Sequence, residues 1–159
     1  MSNPPPVSTA SAYRLRAARR GDAEAIRALI SELGYLEAAD AQTVAWVISH
    51  PEMEIFIAAD SMDKAVGVLT LSHRPQLRMK GRIATIDELV VLKAWQRKGV
   101  GKALIARALE RAKVLGAKRI ELTTHKGRGE VVRQFYIACG FAEADSAVMR
   151  LDIADPNRR

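Results

Sequence analysis

The stretch from Ile86 to Leu104, I-D-E-L-V-V-L-K-A-W-Q-R-K-G-V-G-K-A-L, constrains the fold more than any other part of the chain. Its first half belongs to a mostly apolar run from Ile83 to Leu92 that reads as a long strand inside a sheet, covered on both faces. Its second half opens a helix: Val100, Leu104, Ala108 and Ala112 follow one another at intervals of four, with Ile105 and Leu109 beside them, until Gly116 ends the pattern. A strand that runs through a glycine-containing turn into a helix aims unpaired backbone N–H groups and the positive helix end at one point, a place for an anion. Gly99 and Gly101 lack a Cβ and let a phosphate approach the main chain, while Arg97, Lys98 and Lys102 add positive charge around it.

Two familiar phosphate loops do not fit. In a P-loop the Gly-Lys pair is followed by Ser or Thr and preceded by another glycine, whereas Gly101-Lys102 is followed by Ala103 and no glycine stands five residues before Gly101. A dinucleotide-binding turn needs a third glycine where this chain has Leu104, and its strand-to-glycine gap is shorter.

The flanking elements follow from periodicity. Tyr13 to Ala17 alternates apolar and basic residues as a short edge strand does. Asp22 is placed to cap a helix carrying Ile26, Leu29, Ile30 and Leu33 up to Gly34, and Asp40 to cap a second one carrying Val44, Val47 and Ile48 that ends before Pro51. Glu54 to Asp60 and Ala65 to His73 read as an antiparallel hairpin, and the polar, basic stretch Arg74 to Arg82 as a loop. Lys118 to Thr124 is the next strand. Val132, Phe135, Tyr136 and Cys139 mark one face of a helix stopped by Gly140, and Phe141 to Glu143 and Ala147 to Ile153 are expected as two last strands. With 159 residues and no internal repeat or linker, the expectation is one α/β domain over residues 13–153, between a disordered tail at 1–12 and a C-terminal tail at 154–159.

A formal charge of +7 admits an anionic partner without choosing among nucleic acid, a phosphorylated cofactor and a membrane surface. Arg14, Arg16, Arg19, Arg20, Arg158 and Arg159 read as flanking charge with a solubility role. Cys139 is the only cysteine, which rules out an intrachain disulfide and a Cys-based zinc site. The apolar runs fall short of the roughly 20 residues a membrane span needs, and the N-terminus has no apolar core of a secretory signal. A cytoplasmic protein without a membrane partner is expected.

Gln96-Arg97-Lys98-Gly99-Val100-Gly101, directly after Leu89-Val90-Val91, matches the pattern Gln/Arg-x-x-Gly-x-Gly/Ala. Downstream, Phe135-Tyr136 is followed by three residues and then Gly140-Phe141. Together, and in this order, the two motifs resemble those of the GCN5-related N-acetyltransferase (GNAT) superfamily. The resemblance implies a mixed, mostly antiparallel central sheet flanked by helices, and an N-acetyltransferase with acetyl-CoA as donor substrate and no metal. It implies that Gln96, Arg97, Lys98, Gly99, Val100, Gly101 and Lys102 surround the cofactor pyrophosphate, and that the main chain of Leu89, Val90 and Val91 meets the pantetheine arm and the acetyl oxygen. It also implies that Tyr136 protonates the departing thiolate; the reading of Tyr136 as a packing residue stays beside it. Many relatives carry Asn and Ala where this chain has Gly129 and Val132, which leaves an Asn contact to the cofactor without a counterpart. The link Thr124 to Gly129 is basic and is expected to hold phosphates or to border the acceptor site.

Acetylation needs a neutral amine, so a base or a water chain must take a proton. Asp87 and Glu88 lie just before the loop; strand alternation allows one of them to face the acceptor, and Glu88 is ranked ahead of Asp87, with Glu121 third. His50, His73 and His125 lack metal-ligand spacing and read as surface or loop histidines, and Cys139 as a buried helix residue, because the amine attacks the thioester directly in a ternary complex. The acceptor is expected to be a small-molecule amine bordered by Leu33 to Trp46 and by Arg74 to Arg82, and a homodimer is left open. Two other readings stand beside the enzyme: a catalytically silent acetyl-CoA sensor, and a basic nucleic-acid-binding module. The latter is disfavoured by 5% aromatic content and the lack of a recognition motif, so no nucleic-acid partner is expected.

Overall fold

The computed structural model of the chain describes residues 12–34 and 40–153. Except for Ala12, both expected tails lie outside these residues, as do positions 35–39 of the expected acceptor border. The packing divides into two compact units, one running to His125 and one from Lys126 onward.

The first unit is built on five strands, β1 (Tyr13–Ala17), β2 (Met53–Asp60), β3 (Ala65–Gln76), β4 (Gly81–Val91) and β5 (Ala117–Leu122), in spatial order of sequence. β1 to β4 pair antiparallel and β5 joins β4 in parallel. Three helices accompany them: α1 (Ala23–Ser31), α2 (Ala41–Ser49) and α3 (Val100–Val114). The mixed, mostly antiparallel sheet with helices is thus as expected.

Alternation along the strands sorts the core into two layers. Ile55, Ile57 and Ala59 of β2, Ala65 and Val68 of β3 and Val90 of β4 form one buried cluster with Ile26, Leu29 and Ile30 of α1 and Val44 of α2. Phe56, between them in sequence, faces the other way, with the Arg107 guanidinium of α3 5.7 Å from its ring centre. On that side α3 buries Val100, Leu104, Ile105, Ala108 and Ala112, the stripe its spacing predicts. It approaches β3 closely at Gly67, where a Cβ would meet Val100 Cγ1 at 3.2 Å and Leu104 Cδ1 at 3.3 Å.

Several local expectations need correction. Arg74 to Gln76 is not loop but the end of β3, paired with Gly81 to Ile83; backbone pairing to β4 carries the hairpin past the point where apolar alternation stops, and a single short turn at Leu77–Met79 closes it. Asp22 precedes α1 but does not cap it, because its carboxylate is taken by Arg16 at 2.7 and 2.8 Å and by the Arg19 amide at 2.7 Å. Asp40 does cap α2, accepting from the Thr43 amide at 2.6 Å. Arg16 is therefore not mere solubility charge: its side chain is 10% exposed and also donates to Asp63, which Arg14 and Arg19 approach as well. His73 is no surface histidine. It lies on the α3 face of β3, 5% exposed, with Nδ1 3.0 Å from Arg82 Nη1 and Nε2 4.0 Å from Glu54 Oε1, which Arg111 of α3 also holds at 2.7 Å.

The second unit contains α4 (Glu130–Ala138), preceded by a short turn at Lys126–Arg128. Within it Arg133 donates to Glu130 and Glu143, and Cys139 is half-buried at the helix end. The strands expected at Phe141 to Glu143 and Ala147 to Ile153 are absent among the described residues. A strand exists only where a neighbouring edge takes up its N–H and C=O groups, and alternation in the sequence does not supply that edge.

Candidate active site

β4 pairs with β5 only through Ile86 and Leu122, while its pairing with β3 continues to Val91. Beyond Ile86, then, Asp87 to Val91 has no β5 partner on that side, and alternate main-chain groups are left for something other than the sheet. Val91 offers one of them, its carbonyl, to Gln96 Nε2 at 3.0 Å, which ties the following loop back to the strand end. Gln96 thereby has a structural duty as well as the cofactor role its motif implies.

At the same place β4 carries an extra residue. Thr70 is opposite Glu88 and Leu71 opposite Ile86, so Asp87 is the unpaired residue of a β-bulge. A bulge interrupts strict alternation and re-aims side chains, which removes the expectation that only one of Asp87 and Glu88 can serve the acceptor. The Glu88 carboxylate accepts from the Thr70 hydroxyl, whose oxygen in turn accepts from the Glu88 amide at 3.0 Å. Burial pushes the Glu88 carboxyl above the ordinary carboxylate range; Thr70 opposes this and the nearby charge of Asp87 adds to it. Asp87 is solvent-exposed as a residue, yet desolvation is also the leading cause that raises its carboxyl, with Ser72 and then Arg74 pulling it down. Two carboxyls with raised affinity for protons stand together on the strand. Glu121 is exposed on β5, opposite Thr85.

The loop after β4 turns through Lys93–Trp95 and reaches Gly99, whose φ of +83° is the left-handed conformation that glycine adopts without strain. Arg97 is held at φ +60°. No side chain caps α3. Its first carbonyl acceptor is Gly99, bonded by Ala103 at 3.0 Å, so the amides of Val100, Gly101 and Lys102 precede the helical ladder. Arg97, Lys98 and Lys102 are exposed around this point, with Lys98 Nζ 5.3 Å from the centre of the Trp95 ring. The arrangement is a cradle for an anion, and it lies directly after the unpaired end of β4. Of the backbone positions implied in the strand, Leu89 and Val91 are half-buried and Val90 is in the core.

Tyr136 stands in the second unit, on α4. Its ring packs edge-on against Phe135 and Phe141, with ring centres 5.1 and 6.0 Å apart, and burial raises its hydroxyl pKa, opposed by Arg128. The tyrosine that the motif singles out is thus also a packing residue of its unit, and the two readings are compatible.

The sequence reading missed Thr70 and Ser72, the partners of the two carboxyls. Their signal was available: two hydroxyl residues at a spacing of two inside the strand-like run from Ala65 to His73 mark one face of β3 as polar. The bulge at Asp87 had no signal in the sequence, because no glycine or proline stands there.

Residues 22–141 match the model of the acetyltransferase (GNAT) family. The chain belongs to that family. Among solved structures with this fold, an aminoglycoside acetyltransferase from an uncultured soil metagenomic sample, in complex with sisomicin, is 19% identical, with 89% of this chain and 97% of that chain covered and a TM-score of 0.78. The aminoglycoside N-acetyltransferase AAC(6')-Iy in complex with CoA is 20% identical over 92% of this chain and 98% of that one, with a TM-score of 0.78. A ribosomal-protein-alanine N-acetyltransferase from Brucella melitensis biovar Abortus 2308 is 20% identical over 89% and 99%, with a TM-score of 0.75. At these identities the likeness is one of fold. No curated protein matches the chain. For this GNAT protein the family carries the enzyme class, N-acetyltransferase, and implies acetyl-CoA as donor. No helix among the described residues is long and apolar enough to cross a membrane.

Proposed function

We propose that this chain transfers the acetyl group of acetyl-CoA to a primary amine of a small molecule, by direct attack within a ternary complex, with residues 13–153 as the catalytic domain. The observation that carries the reading is the succession along one strand of two desolvated carboxyls at a bulge, an unpaired strand end, and an uncapped helix N-terminus. Each suits one part of the reaction: proton removal, the pantetheine arm with its thioester, and the pyrophosphate.

In this reading Glu88, with Asp87 beside it, takes a proton from the acceptor ammonium directly or through water. The freed nitrogen lone pair attacks the thioester carbon, and main-chain N–H groups of the Leu89–Val91 segment stabilise the developing oxyanion because they are fixed before reaction. As the tetrahedral intermediate collapses, its nitrogen gives up its second proton to water, the C–S bond breaks, and the coenzyme A thiolate takes a proton from Tyr136, whose phenolate is reprotonated from solvent. The assignment of Tyr136 rests on the Phe-Tyr motif. Pyrophosphate binding is assigned to the amides of Val100 to Lys102, with Arg97, Lys98 and Lys102 contributing charge. The small-molecule acceptor is supported by the aminoglycoside acetyltransferases among the proteins of like fold.

Thiol release from acetyl-CoA across a diverse amine library tests the proposal. Amine-dependent release with a matching acetylated product is expected. Stoichiometric acetyl-CoA binding with no release on any amine would make the protein a silent acetyl-CoA binder instead.

A further inference from the structure

The strip of sheet that carries the two carboxyls does not end with them. Val68, Thr70, Ser72 and Arg74 succeed one another on one face of β3. Val68 and its partner Val90 are in the core beneath α1 and α2, but from the next rung onward the face is polar: Thr70 with Glu88, Ser72 beside Asp87, then Arg74. The apolar cluster of these helices therefore gives way between Val68 and Thr70, and the polar face continues along the basic hairpin that closes at Leu77–Met79. Two residues of strand separate Ser72 from Arg74, about 7 Å. Arg74 is exposed, and its charge reaches back to Asp87, whose carboxyl it helps to lower. The strip is thus bipolar, acidic where the amine is to be deprotonated and cationic one step further along.

Resting on the acetyltransferase reading, we propose that the acceptor is an amine that also carries an anionic group, a carboxylate in the simplest case, and that Arg74 binds this group while the nitrogen stands at Asp87 and Glu88. A guanidinium presents a forked donor that suits a carboxylate or phosphate and repels a second ammonium. A polycation, which two carboxyls alone would attract, meets like charge at Arg74. Arg74 is thereby a specificity-determining residue.

The test compares ω-amino acids of two to five methylenes with their carboxamides and with diamines of equal length, by thiol release at saturating acetyl-CoA. For the best chain length, kcat/KM for the amino acid exceeds that for its carboxamide by about tenfold to a hundredfold, the range of one hydrogen bond to a charged group. Arg74→Ala brings this ratio close to one, mainly through KM for the amino acid, and Arg74→Lys restores part of it. Because the ratio compares two substrates on the same protein, any loss of folded protein cancels. Equal use of the carboxamide, turnover confined to amines without an anionic group, or an unchanged ratio in Arg74→Ala overturns the assignment and leaves the acetyl-transfer reading intact. Absence of thiol release with every amine, in a protein that binds acetyl-CoA or in one that does not, overturns both.

Discussion

Glu88 is raised by desolvation and by its neighbour Asp87, and this fixes the sign of two pH effects. The carboxylate form is the base, so kcat/KM should rise with pH along a limb whose midpoint lies above the ordinary carboxylate range. Folding has the opposite dependence from this group: the folded chain keeps protons that the unfolded chain has already released, so its contribution to stability falls as pH rises from the ordinary value to the raised one. Glu88→Gln should abolish the limb and lower kcat by about a hundredfold to ten-thousandfold, as a pH–rate profile of both proteins would record. A Gln variant with unchanged rate and profile removes Glu88 as the base. Tyr136→Phe keeps the ring that packs on Phe135 and Phe141, so acetyl-CoA affinity should hold. Since a thiolate is already a fair leaving group, kcat should fall by about a hundredfold or less. Single-turnover transfer at saturating donor reads this step, and a wild-type rate would leave Tyr136 as a packing residue only.

At the scale of elements, the loop into α3 separates two glycine roles. Gly99 is needed for its φ of +83°, and a substitution there costs roughly 1–2 kcal/mol of stability before any cofactor is considered. Gly101 lies within α3, so Gly101→Val is the cleaner probe. It should keep the thermal midpoint within a few degrees and weaken acetyl-CoA binding measured by calorimetry, because its side chain takes space beside the helix-end amides. Unchanged affinity in the folded variant would mean that the pyrophosphate binds elsewhere. The polar cluster under α3 makes a separate prediction. His73 is lowered from its ordinary 6.5, first by desolvation and then by Arg82. As pH falls below 6.5 the unfolded chain gains a proton that the folded chain resists, and stability should decline. In His73→Gln that decline should be absent from denaturant midpoints measured across this range. α1, α2 and α3 were readable because their apolar positions report directly on burial, and β1 and α4 because alternation and helical spacing stand in the sequence itself. The hairpin end Arg74–Gln76 was not, because main-chain pairing sustains it without apolar side chains. The polar residues of β3 were legible in principle, and the bulge was not, since a register shift depends on the partner strand.

For the whole molecule, the formal charge of +7 and the cations around the α3 N-terminus suit a donor that carries several phosphates, and the family membership turns that suitability into a definite chemistry. The proposed cofactor side is written in consecutive residues, Gln96 to Gly101, as a motif that the sequence displays directly. On the proposed acceptor side Asp87 and Glu88 were legible as neighbours on one strand, but their company with Thr70, Ser72 and Arg74 was not, since it depends on the register between two strands. The central claim is that amine and acetyl-CoA react directly while both are bound. Initial rates of thiol release with both concentrations varied test it in one experiment. The account predicts release that requires the amine and reciprocal plots that intersect; parallel plots, or thiol release at the same rate without amine, would contradict it.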